Sequence, residues 1–423
     1  MRKYARYKDS GISWIGDVPE HWDVVRNKNF IDEKDEVVGE KFRDYTLLSL
    51  TKGGVIARDV ESGKGKFPKD FESYKIVQPG NVIFCLFDVD ETPRTVGLSS
   101  LRGMITGAYD VFEPININAR YYAYYFLAVD DRKALRPLYT GLRKVVKKDR
   151  FLACKIPVPP LPEQKAIAEY LDKKTAQINE LVSAKQKQIE LLKEYKQSVI
   201  ANAVTGKIDE RREKRKWKDS GISWIGKISE NWEKLPFCAL FEQKSQCGYC
   251  DEELLSVYLD KGVIRFSDGG EKRANATSED LSKYQLVDVG DFVLNNQQAW
   301  RGSVGVSFFR GIVSPAYVIL KMSEKLDRNF ANYLLRDRSM VAMYCVCSKG
   351  VGSIQRNLVW NKLKRMPVFI PPLSEQKEIV AYIEKKVSSI DSQIASIENQ
   401  IANLNEYKQS LISDVVTGKV KVC

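Results

Sequence analysis

The side chains with the widest chemical range in this 423-residue chain are eight cysteines and one histidine. His21 lies in "PEHW", and the matching place in a later, similar stretch is Asn231. A histidine-dependent catalytic pair or a histidine-rich metal centre is therefore not expected. "CGYC" (Cys247–Cys250) has zinc-ligand spacing but no second pair to complete four ligands, and "CVC" (Cys345–Cys347) is spaced too closely. The cysteines read as reduced thiols, and no run of about 18 apolar residues suggests a membrane span. No basic segment leads into an apolar stretch as a secretory signal would, so the expected compartment is the cytoplasm. There is no GxGxxG fingerprint, no phosphate-binding loop, no Asn-Pro-Pro-aromatic sequence for adenine methylation and no nuclease-like carboxylate–lysine cluster. The chain is expected to catalyse nothing and to bind no metal or cofactor.

Binding chemistry is better represented. The formal net charge is +12, which favours an anionic partner, nucleic acid first. Base edges are read by Arg, Lys, Asn and Gln, while phosphates take Lys, Arg and backbone N–H groups. In the first half, "TGLRKVVKKDR" (Thr140–Arg150) offers Arg143, Lys144, Lys147 and Lys148 after a turn at Gly141, and Arg94 and Arg102 flank "VGLSS". In the second half, "NNQQAWRGS" (Asn295–Ser303) offers Gln297, Gln298 and Arg301, and "SKGVGSIQRN" (Ser348–Asn357) offers Lys349, Gln355 and Arg356. The run "DERREKRKWKD" (Asp209–Asp219) reads as a solvated linker between the halves.

What positions these clusters is a chain built twice. "KDSGISWIG" occurs at Lys8–Gly16 and again, letter for letter, at Lys218–Gly226. "PPLPEQKAI" (Pro159–Ile167) returns as "PPLSEQKEI" (Pro371–Ile379), "EYKQS" as Glu194–Ser198 and Glu406–Ser410, and "VTGK" as Val204–Lys207 and Val416–Lys419. The last three pairs are all displaced by 212 residues. Looser matches precede them, such as "YKIVQPGNVIF" (Tyr74–Phe84) with "YQLVDVGDFVL" (Tyr284–Leu294). So long a period means a duplicated domain rather than a solenoid. In each half, "NVIFCLF" (Asn81–Phe87) and "DFVLNN" (Asp291–Asn296) predict strands, and "YYAYYFLAVDD" (Tyr121–Asp131) and "NFANYLLRDRSM" (Asn329–Met340) predict short helices.

A long helix closes each half. Ile383, Val387, Ile390, Ile394, Ile397, Ile401, Leu404, Lys408, Leu411 and Val415 alternate steps of four and three, a heptad seam broken only by Lys408. The matching seam, Leu171, Thr175, Ile178, Val182, Lys185, Ile189, Leu192, Lys196, Val199 and Ala203, is more polar but in register. Pro162 and Ser374 mark the starts, and Gly206 and Gly418 the stops. Each helix is about 40 residues, roughly 60 Å long. A seam with no partner in its own half predicts that the two helices pair, antiparallel.

The quoted blocks resemble the specificity (S) subunits of Type I restriction-modification systems. The PPLxEQ openings of the long helices, "GSIQRNLVWNKLKRMPVFIPPLSEQ" (Gly352–Gln376) and "SGISWIGDVPEHW" (Ser10–Trp22) carry the likeness, which covers essentially the whole chain. It implies an α+β (mixed α/β) fold: two similar target recognition domains joined by two long conserved helices in an antiparallel coiled coil, a pseudo-twofold internal repeat. The expected segments are 1–157, first recognition domain; 158–208, first spacer helix; 209–369, linker and second recognition domain; and 370–423, second spacer helix.

The resemblance also implies function. The two domains would read an asymmetric, bipartite site on double-stranded DNA. The helices would space them and dock two methyltransferase (modification) subunits, joined by restriction (helicase-nuclease) subunits. S-adenosylmethionine, ATP and Mg would belong to those partners, and no membrane is involved. Leu171, Ile178, Ile189, Leu192, Ile383, Ile390, Ile394, Ile397, Ile401 and Leu404 are the expected subunit or coiled-coil interface. A non-enzymatic coiled-coil scaffold with incidental basic charge is the alternative. "SGISWIG" is expected to pack at the same kind of joint twice, with Trp14 and Trp224 as apolar anchors.

Overall fold

The computed structural model describes residues 2–58, 71–141, 144–208, 216–223, 225–259, 261–269, 280–350 and 356–422. Arg143, Gln355, Trp224 and residues 209–215 of the basic run lie outside them. The chain forms two compact units, residues 1–186 with 398–423, and residues 187–397. Compactness and repeat thus divide the chain differently, since each unit holds the first part of its own long helix and the last part of the other.

In the first unit a four-stranded antiparallel sheet runs in the order Ile31–Glu33, Asp110–Pro114, Val82–Phe84, Val96–Leu98. The helix Ala119–Asp131 packs on it, capped by Asn118, whose side chain accepts the N–H groups of Arg120 and Tyr121. Tyr121, Tyr122, Tyr125 and Phe126 all face the core with Phe84, Phe112 and Phe151, which explains why so aromatic a segment forms a helix here. Phe126 meets Phe84 edge to face at 5.1 Å between ring centroids.

The second unit repeats the plan. Its sheet order is Phe241–Lys244, Tyr317–Met322, Phe292–Asn295, Val304–Val306. Its helix differs from the single segment predicted for Asn329–Met340. Helix Arg328–Arg336 ends at Asp337, whose backbone is extended (φ −65°, ψ 151°), and a second helix runs over Arg338–Val346. The Asp337 carboxylate accepts the N–H of Ser339 and so caps the new helix.

The long helices span Leu161–Val204 and Leu373–Val416, 44 residues each, about 66 Å at 1.5 Å per residue. Gly206 (φ 75°) and Gly418 (φ 74°) stop them in left-handed backbone. Their pairing is antiparallel: in the first unit Lys408 Nζ donates to Asn179 Oδ1 at 3.0 Å and Lys185 Nζ to Gln400 Oε1 at 2.5 Å. In the second, Lys196 Nζ grips both carboxylate oxygens of Asp391 at 2.7 and 2.8 Å. Of the seam residues, Leu171, Ile178, Ile189, Ile383, Ile390 and Ile397 are buried, and Leu192, Ile394, Ile401 and Leu404 are half-buried.

The PPLxEQ motif is a fastening between module and helix. Gln164 is buried at the first turn. Its Oε1 accepts the N–H of Asn118 at 2.8 Å and its Nε2 donates to the carbonyl of Pro159 at 2.8 Å. Gln376 does the same with Asp327 N–H at 2.7 Å and the Pro371 carbonyl at 2.9 Å. Each glutamine therefore ties the helix start to the cap residue of the module's own helix. The adjoining glutamate takes a buried indole: Trp22 Nε1 donates to Glu163 at 3.1 Å, and Trp232 Nε1 to Glu375 at 3.2 Å.

The described residues of the repeated segment fold alike in both places. Ser10 Oγ accepts the N–H of Ile12 and donates to the Gly16 carbonyl, and Ser220 Oγ likewise accepts the N–H of Ile222. Ile15 and Val18 join a core with Leu411, Val415 and Val416 at the end of the second long helix. Ile225 and Ile228 join one with Ala203 and Val204 at the end of the first. Trp14 is half-buried, 5.9 Å from the Tyr125 ring.

Candidate nucleic-acid interface

In the second module the strand Phe292–Asn295 runs straight into the amide-rich loop. Asn295 Oδ1 accepts the N–H groups of Gln297 and Gln298 at 3.0 and 3.2 Å, an Asx turn that leads into a single 3-10 turn over Ala299–Arg301. Ala299 is fully buried and pins the turn, and Gly302 (φ 99°) closes it in a conformation that favours glycine.

The second predicted cluster comes to the same place. A short hairpin pairs Ser348–Lys349 with Asn357–Leu358, and the Leu358 N–H donates to the Asn296 carbonyl at 3.1 Å. Trp300 lies at the junction. Its Nε1 donates to the Gln297 carbonyl at 3.0 Å, and the guanidinium groups of Arg356 and Arg301 stand 4.9 and 5.8 Å from its ring centroid. Arg356 Nη1 also donates to Cys345 Sγ at 3.4 Å. Gln297, Arg301 and Lys349 are exposed, Gln298 and Arg356 half-buried. Trp300 is not among the candidates picked out by residue type, although "AWR" beside two amides is a stacking signal.

The first module has the same architecture with opposite charge. Its loop after Val82–Phe84 reads "CLFDVDETPRT", and the hairpin Tyr139–Thr140 with Val145–Val146 joins it through the Val146 N–H to the Leu86 carbonyl at 2.8 Å. Asp90 accepts from Arg136 Nε at 3.0 Å and Tyr139 Oη at 3.2 Å, and lies 3.5 Å from Lys144 Nζ. The Arg136 guanidinium, then the Tyr139 hydroxyl and Lys144, hold the Asp90 carboxyl below its usual range.

Several cations expected at DNA have internal partners. Arg94 is the most fully engaged: its mostly buried guanidinium donates to Asp130 at 3.1 Å and Asp131 at 2.8 Å, locking the sheet to the helix Ala119–Asp131. Asp130 further accepts the Thr95 N–H and hydroxyl. Lys148 bridges Glu33 and Asp110 on neighbouring strands. Lys147 is exposed, with no ion pair among the described residues. Arg102 is exposed elsewhere on the module, 5.5 Å over Tyr45 in an open hollow with Lys41 and Asp44. Cys247 and Cys250 are exposed free thiols, and among the described residues no group of His, Cys, Asp and Glu is arranged to hold a metal ion.

Two modules of one plan are each fastened to a long helix, and each carries a differently charged loop–hairpin pair. The model of the Type I restriction modification DNA specificity domain matches residues 106–191 and 230–406, and the chain belongs to that family. The Type I restriction enzyme MjaVIII specificity subunit of Methanocaldococcus jannaschii is 25% identical over 96% of this chain and 94% of its own length. The EcoKI specificity subunit of Escherichia coli is 25% identical over 65% of this chain and 60% of its own. Among solved structures, a chain from a study of type I R-M complex assembly superposes over 95% of this chain and 99% of its own, with TM-score 0.63 at 13% identity. The HsdS subunit from Thermoanaerobacter tengcongensis superposes over 95% and 98%, with TM-score 0.50 at 14% identity. As a specificity subunit the chain is the non-catalytic member of its system.

Proposed function

We propose that the two modules read the two unlike halves of a split DNA target, and that the paired long helices space them and dock two modification subunits, with restriction subunits completing a nuclease. Residues 1–157 and 209–369 serve as the two readers, and 158–208 and 370–423 as the spacer. Acting on cellular DNA, the complex works in the cytoplasm. Among the described residues no helix is long and apolar enough to cross a membrane. S-adenosylmethionine, ATP and Mg enter through the partner subunits, and this chain selects where they act.

The observation that carries this reading is the duplicated fastening with a non-duplicated loop. Trp22–Glu163 and Trp232–Glu375 are the same joint, whereas "CLFDVDETPRT" and "NNQQAWRGS" occupy one topological position with different chemistry. Identical mounts with different contact loops suit a reader of two different half-sites. The test is methylome sequencing of cells with and without this gene. Loss of a bipartite adenine-methylation motif is the expected result. An unchanged pattern in an otherwise active system would refute it.

A further inference from the structure

The geometry points to a purine reader in the second module: Arg301 and Gln297 contact base edges in the major groove of one half-site, and Trp300 and Arg356 position them. This inference rests on the DNA-reading function proposed above and deepens it.

Four observations converge. First, both readers are available. Gln297 and Arg301 are exposed, and among the described residues no carboxylate pairs with Arg301 and no hydrogen bond engages the Gln297 side-chain amide. Second, their backbone is fixed beforehand, by the two N–H bonds to Asn295 Oδ1, by buried Ala299 and by the Trp300 indole bonded to the Gln297 carbonyl. Order established in the free protein need not be established on binding. Third, Arg301 and Arg356 both lie against the Trp300 ring. A guanidinium held against an aromatic face loses little further freedom when its planar fork meets a base. Arg356 is half-buried and donates to Cys345, so it steadies the indole, leaving Arg301 to reach out. Fourth, the side chains match purine edges: arginine pairs bidentately with guanine O6 and N7, and glutamine with adenine N6 and N7.

The first module cannot read its half-site this way. The same position there holds Asp90 and Glu91, with Lys144 drawn onto both. The difference predicts that only one half of the target contains base pairs read by this arginine–glutamine loop.

The test uses the complete modification complex in cells, with methylomes recorded for the wild-type chain and for Arg301→Ala, Arg301→Lys and Gln297→Ala. Discrimination at one or two purine positions, all in the same half, should fall about 5- to 150-fold, the usual range for one bidentate base contact. The other half-site stays intact and reports an assembled complex. Arg301→Lys separates reading from simple attraction: it keeps the charge but loses the fork, so occupancy should persist while discrimination is lost. An unchanged motif in all three variants would overturn the assignment, as would a uniform loss over all sequences in Arg301→Ala that Arg301→Lys restores. A wild-type complex that yields no split motif would instead overturn the DNA-reading function itself, and this inference with it.

Discussion

The indole of Trp22 donates to the carboxylate of Glu163 at 3.1 Å, across 141 residues of sequence. Tyr4 Oη at 2.5 Å and His21 Nε2 at 2.8 Å meet the same carboxylate. Trp22 is fully buried, so its N–H has no recourse to water. Glu163→Ala should therefore destabilise the first unit by about 1–3 kcal/mol, the cost of leaving a buried donor unpaired. Chemical denaturation read by tryptophan fluorescence measures it. The methylated sequence should not change if the joint serves only to hold the module to its helix.

Adjacent lysines in the basic cluster should separate by role. Lys147→Glu is expected to weaken DNA binding and flatten its salt dependence, with little effect on stability. Lys148→Glu should do the reverse, since it sets a third carboxylate against Glu33 and Asp110. Titrations at several salt concentrations, beside thermal melts, distinguish them. Equal losses of affinity at full stability would contradict the division.

Asp90 restrains Arg136 and Lys144. Asp90→Asn should free both for phosphate binding, tighten non-specific affinity and steepen the salt slope by about 0.9 for each phosphate newly neutralised. The sign with pH follows the depressed carboxyl. The network's contribution to stability is complete above the ordinary aspartate range and is lost as pH falls through the lowered folded value. Acid unfolding of Asp90→Asn should accordingly begin from a lower plateau and show less pH dependence below about pH 4.

Two lysines interrupt the heptad seams at matching positions, with unequal surroundings. Burial pushes the Lys408 ammonium below its usual value, with Asp131 opposing that shift and Arg94 reinforcing it, and its hydrogen-bond partner is neutral Asn179. Lys196 has the Asp391 carboxylate. Lys408→Leu should raise stability by about 1 kcal/mol, as apolar contact replaces a partly desolvated charge. Lys196→Leu should be near neutral, because it also strands Asp391. A greater gain at Lys196 would reverse the ranking.

If the helices set the unread gap, adding one heptad to both at paired positions lengthens each by about 10.5 Å. At about 3.4 Å per base step the gap should grow by roughly three base pairs. Methylome sequencing should return the same half-sites at the new spacing, and an unaltered gap would show that the helices do not measure it.

The parts of this architecture that repeat along the chain were legible in the sequence. The 212-residue displacement and the steps of four and three among apolar residues predict the long helices, their antiparallel pairing and their glycine stops. The start differs from expectation by one residue, at Leu161 and Leu373. Side-chain partners far apart in sequence were not legible. Nothing local in "ETPRT" says that Arg94 will find Asp130 and Asp131 rather than solvent, because the pairing exists only once sheet and helix have packed. The break at Asp337 was missed for a related reason: an aspartate inside an apolar period reads as a helix surface residue until its carboxylate caps the next turn. The meeting of "NNQQAWR" with the hairpin before the second helix also depends on a backbone bond between distant loops.

Residues 398–423 belong to the first compact unit, where Lys421 bonds the backbone of Arg2 and Gly418 accepts from Tyr7. The second unit is one continuous stretch, 187–397. On the ribosome the order of completion is therefore inverted. The unit whose residues emerge first waits for residues 398–423, and the unit that emerges later can close before it. Until residues 398–423 are made, Ile15, Val18 and Trp22 lack the second-helix residues that cover them. A released chain truncated after residue 397 should carry a protease-resistant second unit and a susceptible first one.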